Sequence, residues 1–137
     1  MLRPHEVEMT ARVLIVDDEI NARRALAIGL RLEGFEVREA CDAEQALEML
    51  DDEPLDVAII DLMMPGMNGL ELLRRIRRAH PRMRLLLTSA YHLSARQLER
   101  ADVGASAFVP KPFRLDELVA FLRARTSSSA PPRGADQ

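Results

Sequence analysis

Three short runs of this chain are apolar at every position, Val13–Val16, Val57–Ile60 and Leu85–Leu87, and acids or hydroxyls follow each within a residue or so. Runs of that length are too short for a helix. They read as strands covered on both faces, the pattern of the interior of a parallel sheet. The third run sits in a strand over Arg84–Ser89. Phe35–Ala40 alternates instead, as a half-buried strand does, and Ala107–Val109 is a short fifth strand. Pro110 at its end cannot donate to a ladder, which places that strand at the sheet edge.

Between the strands the apolar period lengthens to that of a helix. Asn21 is the expected cap of a first helix with Ala22, Leu26, Gly29 and Leu30 on its buried face, and Gly34 is its left-handed stop. Asp42, followed three residues on by Gln45, is close to a capping box and opens a second helix through Ala46, Leu47 and Leu50. Asn68 and Glu71 repeat that pattern for a third helix, which ends before Pro81. Its arginines, Arg74, Arg75, Arg77 and Arg78, fall among Leu70, Leu73 and Ile76 and are expected to form a solvated outer face. A fourth helix is expected from about Ser94 to Val103, stopped by Gly104, with only Leu98 and Ala101 as apolar anchors. So few anchors predict a helix that can move. The last helix, about Leu115 to Arg125, is expected to bury Leu115, Leu118 and Leu122, with Arg114 a poor cap before it.

Five strands alternating with five helices specify an α/β domain with right-handed crossovers. The expected boundaries are a loose arm over 1–11, the domain over 12–125, and a Ser-, Pro- and Gly-rich tail over 126–137 with too little apolar surface to fold. At 137 residues one domain can bury about two thirds of its unfolded surface without staples. A net charge of -3 gives no general attraction to nucleic acid or to anionic membrane. A single cysteine, Cys41, excludes an internal disulfide, and no signal sequence or membrane-length apolar run is evident, so a cytoplasmic protein is expected. The histidines at 5, 80 and 92 share no metal-ligand spacing.

The chemistry lies where the strands stop. One apolar strand ends in Asp17, Asp18 and Glu19, and another in Asp61. In open α/β sheets ligands gather outside the carboxyl ends of the strands, so neighbouring strands would bring these acids together there. Like charges at close range raise one another's pKa unless a cation is shared. A set of carboxylates without cysteine or histidine suits a hard divalent ion such as Mg²⁺, which keeps waters for phosphate oxygens to replace. Phosphoryl chemistry is the expectation.

At this point the chain resembles the receiver domain of two-component response regulators, over about Arg12 to Arg125. The resemblance is carried by Asp17-Asp18 after Val-Leu-Ile-Val, by Asp61-Leu62-Met63-Met64-Pro65-Gly66-Met67-Asn68-Gly69, by the hydroxyl at the end of the fourth strand, and by Lys111-Pro112-Phe113. Ser89 stands 28 positions after Asp61, and Lys111 stands 22 after Ser89. That spacing, and the Ala90 that follows, select Ser89 over Thr88, which by alternation would point into a helix-covered face.

The resemblance implies a (βα)5 doubly wound, flavodoxin-like parallel sheet of order 2-1-3-4-5. It implies that Asp61 accepts a phosphoryl group from a phosphohistidine on a sensor histidine kinase or histidine phosphotransfer protein. It also implies that Asp18, Asp61 and the backbone carbonyl of Met63 hold Mg²⁺ directly, or Mn²⁺ in its place, with Asp17 helping through water. Lys111 would contact the phosphoryl oxygens after a cis bond to Pro112. Ser89 and Phe108 would form the switch, Phe108 standing where the family more often has Tyr. The face made by the fourth helix, the fifth strand and the last helix would then bind a downstream protein or a second copy.

The expected role is that of a phosphoacceptor rather than a turnover enzyme. Met63 and Tyr91, flanking the site, cannot readily orient an attacking water, so slow self-hydrolysis is expected. An aspartyl-phosphate phosphatase would need a general acid two residues after its nucleophile, where Met63 stands. A nucleotide-binding domain would want a glycine- or hydroxyl-rich loop where Asp17-Asp18-Glu19 is found. An interaction module that keeps the fold without taking phosphate is the remaining alternative. Beyond Arg125 no effector domain is recognisable, as in a stand-alone regulator or a receiver from a longer protein.

Overall fold

The computed structural model describes residues 11–90 and 107–124. The predicted helix over 94–103, together with Leu98 and Tyr91, the arm up to residue 10 and the tail lie outside them. The elements are β1 (Arg12–Val16), α1 (Ile20–Leu32), β2 (Glu36–Ala40), α2 (Ala43–Asp52), β3 (Val57–Asp61), α3 (Gly69–Ala79), β4 (Arg84–Ser89), β5 (Ala107–Pro110) and α4 (Leu115–Arg123). The strands form one parallel sheet in the order β2-β1-β3-β4-β5, the doubly wound order expected. β3, in the middle, is buried at all five positions, whereas the edge strand β2 alternates over Glu36–Arg38 and ends in a buried Ala40.

Strand alternation divides the core into two layers. Leu14, Val16, Ala58, Ile60, Leu85 and Leu87 pack with α2 and α3 on one face. Val13, Ile15, Val57, Ile59 and Leu86 pack with α1 and α4 on the other. Burying one such side chain stabilises by about 1.5–3 kcal/mol.

The helix starts agree with the sequence reading in two cases and differ in one. Asp42 Oδ1 accepts from Gln45 N–H at 2.8 Å, and the Gln45 side chain accepts from Cys41 N–H at 2.7 Å. Asn68 Oδ1 accepts from Glu71 N–H at 3.0 Å. The cap of α1 is Glu19 rather than Asn21: its carboxylate accepts from the backbone N–H of Asn21 at 3.0 Å and of Ala22 at 2.9 Å. Only three residues separate β1 from this helix, so the acid before Ile20 is the acceptor within reach, and its charge favours the positive helix end. Of the expected buried face of α1, Leu30 is buried and Leu26 packs against the core, Ala27 joins them, and Ala22 is exposed. Gly34 ends the helix at a φ of 100°, as expected.

Two further expectations change at the periphery. In α4 the buried set is Leu118, Val119, Phe121 and Leu122, while Leu115 is exposed and lies along Gly29. Arg114 makes no side-chain cap there, as foreseen, and pairs with Asp116 instead. Arg74, Arg75 and Arg78 are exposed, but Arg77 folds down and donates to the carbonyls of Pro81 and Met83, both at 2.7 Å. Its guanidinium pKa is lowered by burial. At the same end of the sheet Arg84 lies over the Phe121 ring and donates to the carbonyls of Phe121 and Leu122, closing the C-terminus of α4.

Candidate metal centre

The site is a consequence of strand parity. Asp17 continues the alternation of Val13 and Ile15, Asp61 that of Val57 and Ile59, and Lys111 that of Ala107 and Val109, all on the α1 and α4 side. Because the strands are parallel, all three emerge at the carboxyl end of the sheet. One carboxylate oxygen from each of Asp17, Asp18 and Asp61 lies within 4.8 Å of the others. Lys111 Nζ is 3.0 Å from Asp17 Oδ2 and 3.8 Å from Asp61 Oδ2. Its peptide bond to Pro112 is cis.

Glu19, the third acid of the first run, does not join them, because its carboxylate caps α1. Asp17 is buried and Asp18 exposed. Both Asp17 oxygens are engaged, Oδ1 by Glu19 N–H at 2.9 Å and Oδ2 by Lys111. The Asp17 carbonyl accepts from Arg23, itself paired with Glu39, and this ties the acidic turn to β2. Asp61 Oδ1 accepts from Met63 N–H at 3.3 Å.

Burial raises the Asp61 pKa above the usual carboxylate value. The Lys111 charge opposes that rise, the Asp17 charge adds to it, and the Met63 N–H pulls it down. A cation among these oxygens would relieve the repulsion. An octahedral ion with bonds of about 2.1 Å sets oxygen separations of roughly 3–4 Å, a spacing this cluster can supply with little movement.

The two residues expected to form a switch occupy the opposite parity. Ser89 follows Leu85 and Leu87 toward the α2 and α3 side, and Phe108, half-buried, packs on that same layer. Ser89 is fully buried, and its carbonyl accepts from Lys111 N–H at 2.8 Å. Thr88 lies on the Asp61 side, directly opposite Asp61 in the ladder and beneath α1, as its alternation predicted.

Gly69 is a residue whose part at the site the sequence reading did not assign. A Cβ there would collide with the carbonyl oxygen of Asp61 and lie 2.7 Å from Leu62 Cα. Gly69 N–H donates to Leu62 O at 2.9 Å, so the start of α3 rests directly on the backbone that carries Asp61. Its place at the end of the Asp61–Gly69 segment was the available signal.

A doubly wound sheet with a carboxylate cluster and a lysine at its carboxyl end defines a class, and the chain belongs to it: it is a member of the response regulator receiver domain family, whose profile matches residues 13–123. Among individual proteins it is similar to the response regulator MprA of Mycobacterium sp. (strain KMS), 34% identical over 128 residues, which are 93% of this chain and 56% of that protein. The chain thus spans a little over half the length of the curated relatives it matches. Among solved structures it is similar to the Vibrio cholerae chemotaxis protein CheY4, with a TM-score of 0.77 and 31% identity over 83% of this chain and 97% of that one. It is also similar to the response regulator protein TrrA of Thermotoga maritima in complex with Mg(2+)-BeF, with a TM-score of 0.72 and 35% identity over 81% and 95% of the two chains. The chain is therefore a receiver of two-component signalling whose acidic pocket fits a phosphoacceptor site. Among the described residues no helix is long and apolar enough to cross a membrane.

Proposed function

We propose that this receiver takes a phosphoryl group onto Asp61 from a phosphohistidine of a sensor histidine kinase or histidine phosphotransfer protein, in a Mg²⁺-dependent reaction. The observation that carries this reading is the meeting of three carboxylates with the Lys111 ammonium at the carboxyl end of the sheet. Asp18, Asp61 and the Met63 carbonyl would hold the ion. When bound, it supplies positive charge that offsets the repulsion between the acids and an incoming phosphoryl group. Asp17, with both oxygens engaged, serves to hold Lys111 and the turn and reaches the ion through water. That the similar TrrA structure contains Mg(2+)-BeF supports the same choice of ion here.

In the transfer, an Asp61 carboxylate oxygen forms a bond to phosphorus as the bond from phosphorus to the donor imidazole breaks, and the imidazole leaves with the electron pair. Lys111 contributes a point charge to the phosphoryl oxygens. The new oxygens then draw the Ser89 hydroxyl across, and Phe108 moves into the space it leaves. Phe108 lacks a hydroxyl, so its inward state rests on packing alone. The surface formed by β5 and α4 changes shape for a downstream protein. The protein acts as a phosphoacceptor that assists its own modification rather than as a turnover enzyme.

Incubation with acetyl phosphate tests the reading. Intact-mass spectrometry should show one added phosphoryl group in Mg²⁺ and none in EDTA. Equal incorporation in both would overturn the metal's role, and none in either would leave only an interaction module of this fold.

A further inference from the structure

We infer that the Thr88 hydroxyl is a positioning residue for the phosphoryl-transfer site, holding one water between itself, Asp17 and Lys111 beneath the acidic cluster. The inference rests on the phosphoacceptor reading above and adds a residue to it. Thr88 is buried on the Asp61 side of the sheet and stands opposite Asp61 in the β3–β4 ladder. It touches the Asp61 backbone on both flanks: its Oγ1 reaches the carbonyl of Ile60 at 3.5 Å, and its own carbonyl accepts from Leu62 N–H at 2.8 Å.

A bond of 3.5 Å is a weak one for a hydroxyl, which prefers about 2.7–2.8 Å. A buried hydroxyl so loosely held has capacity for a better partner. A cavity of about 40 Å³ provides the place: Thr88, Asp17 and Lys111 are part of its lining, together with apolar residues that include Ala22, Ile59 and Phe113. A buried water needs roughly 10–15 Å³ and two to four polar partners, and this cavity has the volume and three polar residues in its lining from which to draw them.

The lysine makes the geometry consequential. Its ammonium has three donors. One is taken by Asp17 at 3.0 Å and a second faces Asp61 at 3.8 Å. A water fixed by Thr88 takes the third from below and keeps the other two directed at the carboxylates where the phosphoryl group arrives. Thr88 touches no reacting atom in this scheme and acts through Lys111 and the Asp61 backbone.

The test compares Thr88→Val, which keeps the shape and removes the hydroxyl, with Thr88→Ser, which keeps the hydroxyl and removes the methyl. Both are checked for folding by circular dichroism. With acetyl phosphate and Mg²⁺, the Val variant should be phosphorylated about tenfold more slowly, the weight of one bridging hydrogen bond, and the Ser variant within about twofold of the wild type. A Val variant at the wild-type rate overturns the inference. So does a Ser variant as slow as Val, since packing of the methyl would then be the cause. Should the Val variant fail to fold, high-resolution diffraction of the wild-type protein decides. Density for a water within about 3.2 Å of Thr88 Oγ1 and Lys111 Nζ supports the inference, and a dry cavity overturns it. Failure of the wild type itself to take phosphate would strike the phosphoacceptor reading, and the diffraction result would still decide the place of the water.

Discussion

Asp61 is a carboxylate held where its charge is disfavoured. Its raised pKa means that, between the unfolded carboxylate value of about 3.9 and the higher folded value, the folded state binds the proton more tightly than the unfolded state does. Stability therefore falls as pH rises through that window, the reverse of a salt-bridged carboxylate. In EDTA, Asp61→Asn should accordingly be more stable than the wild type at pH 7, by on the order of 1 kcal/mol, with the gap closing as pH drops toward 4. Urea unfolding of the two proteins across that range measures it, and a variant less stable at pH 7 would contradict the assigned strain. Met63, exposed beside the site, offers no group to steer water. The acyl phosphate should accordingly persist for minutes or longer after the donor is removed, and decay within seconds would speak against that assignment.

Most of this chemistry is legible one residue at a time. Asp17, Asp18 and Asp61 are brought together as their places at the strand ends suggested, and Lys111 joins them as the family resemblance implied; strand parity and parallel direction account for Asp17, Asp61 and Lys111, while Asp18 is the next residue in the turn. Glu19 was not legible. An acid beside two others looks the same in sequence whether it faces a cation or the first turn of a helix. The distinction has a measurable consequence: Glu19→Gln should cost about 1 kcal/mol through the weakened cap yet leave phosphorylation of Asp61 near the wild-type rate. Loss of phosphorylation in a folded Glu19→Gln protein would return Glu19 to the metal site.

At the scale of elements, the strands read well and the helix faces less so. A run such as Val57-Ala58-Ile59-Ile60 has no face to choose, so its burial on both sides follows from composition alone. Helix α1 carries Ile20, Ala22, Ala25, Leu26, Ala27, Ile28, Leu30 and Leu32, which nearly encircle it. Any of several phases fits such a sequence, and the side that packs, Ala27 and Leu30, was settled by the sheet rather than by the helix. Leu115 was misread for a related reason. It is the first residue of α4, where Phe121 and Val119 further along bury more surface against the same layer.

The junction between β3 and α3 is the element-scale feature on which the site depends. Gly69 lets the helix start in contact with the Asp61–Leu62 backbone, a close approach that only the folded chain reveals. A methyl group at this point must push back the strand end that presents the phosphoacceptor. Gly69→Ala should destabilise by about 1–3 kcal/mol, as overpacking does, and should slow phosphorylation even in the fraction that is folded. Thermal unfolding and acetyl phosphate labelling report the two effects. A variant as stable and as readily labelled as the wild type would show that the contact relaxes freely.

For the molecule as a whole, alternating strands and helices specify an α/β domain, and the doubly wound order that the family resemblance implied is the one found, in agreement with the family profile over 13–123. The two faces of the sheet divide the work. The α1 and α4 side presents Asp17, Asp61 and Lys111, while the α2 and α3 side carries Ser89 and Phe108, so the proposed switch would have to act across the sheet at the end of β4. Thr88 and Ser89, adjacent on that strand, face the two sides in turn. The central claim is that folding makes one phosphoacceptor out of four scattered side chains and a divalent ion. Its most direct test is peptide mapping by mass spectrometry after acetyl phosphate treatment in Mg²⁺, run beside Asp61→Asn and Lys111→Ala. The account predicts a single phosphoryl group on Asp61, none in Asp61→Asn, and slower uptake in Lys111→Ala. A group found on another residue, or undiminished uptake in Asp61→Asn, would contradict it.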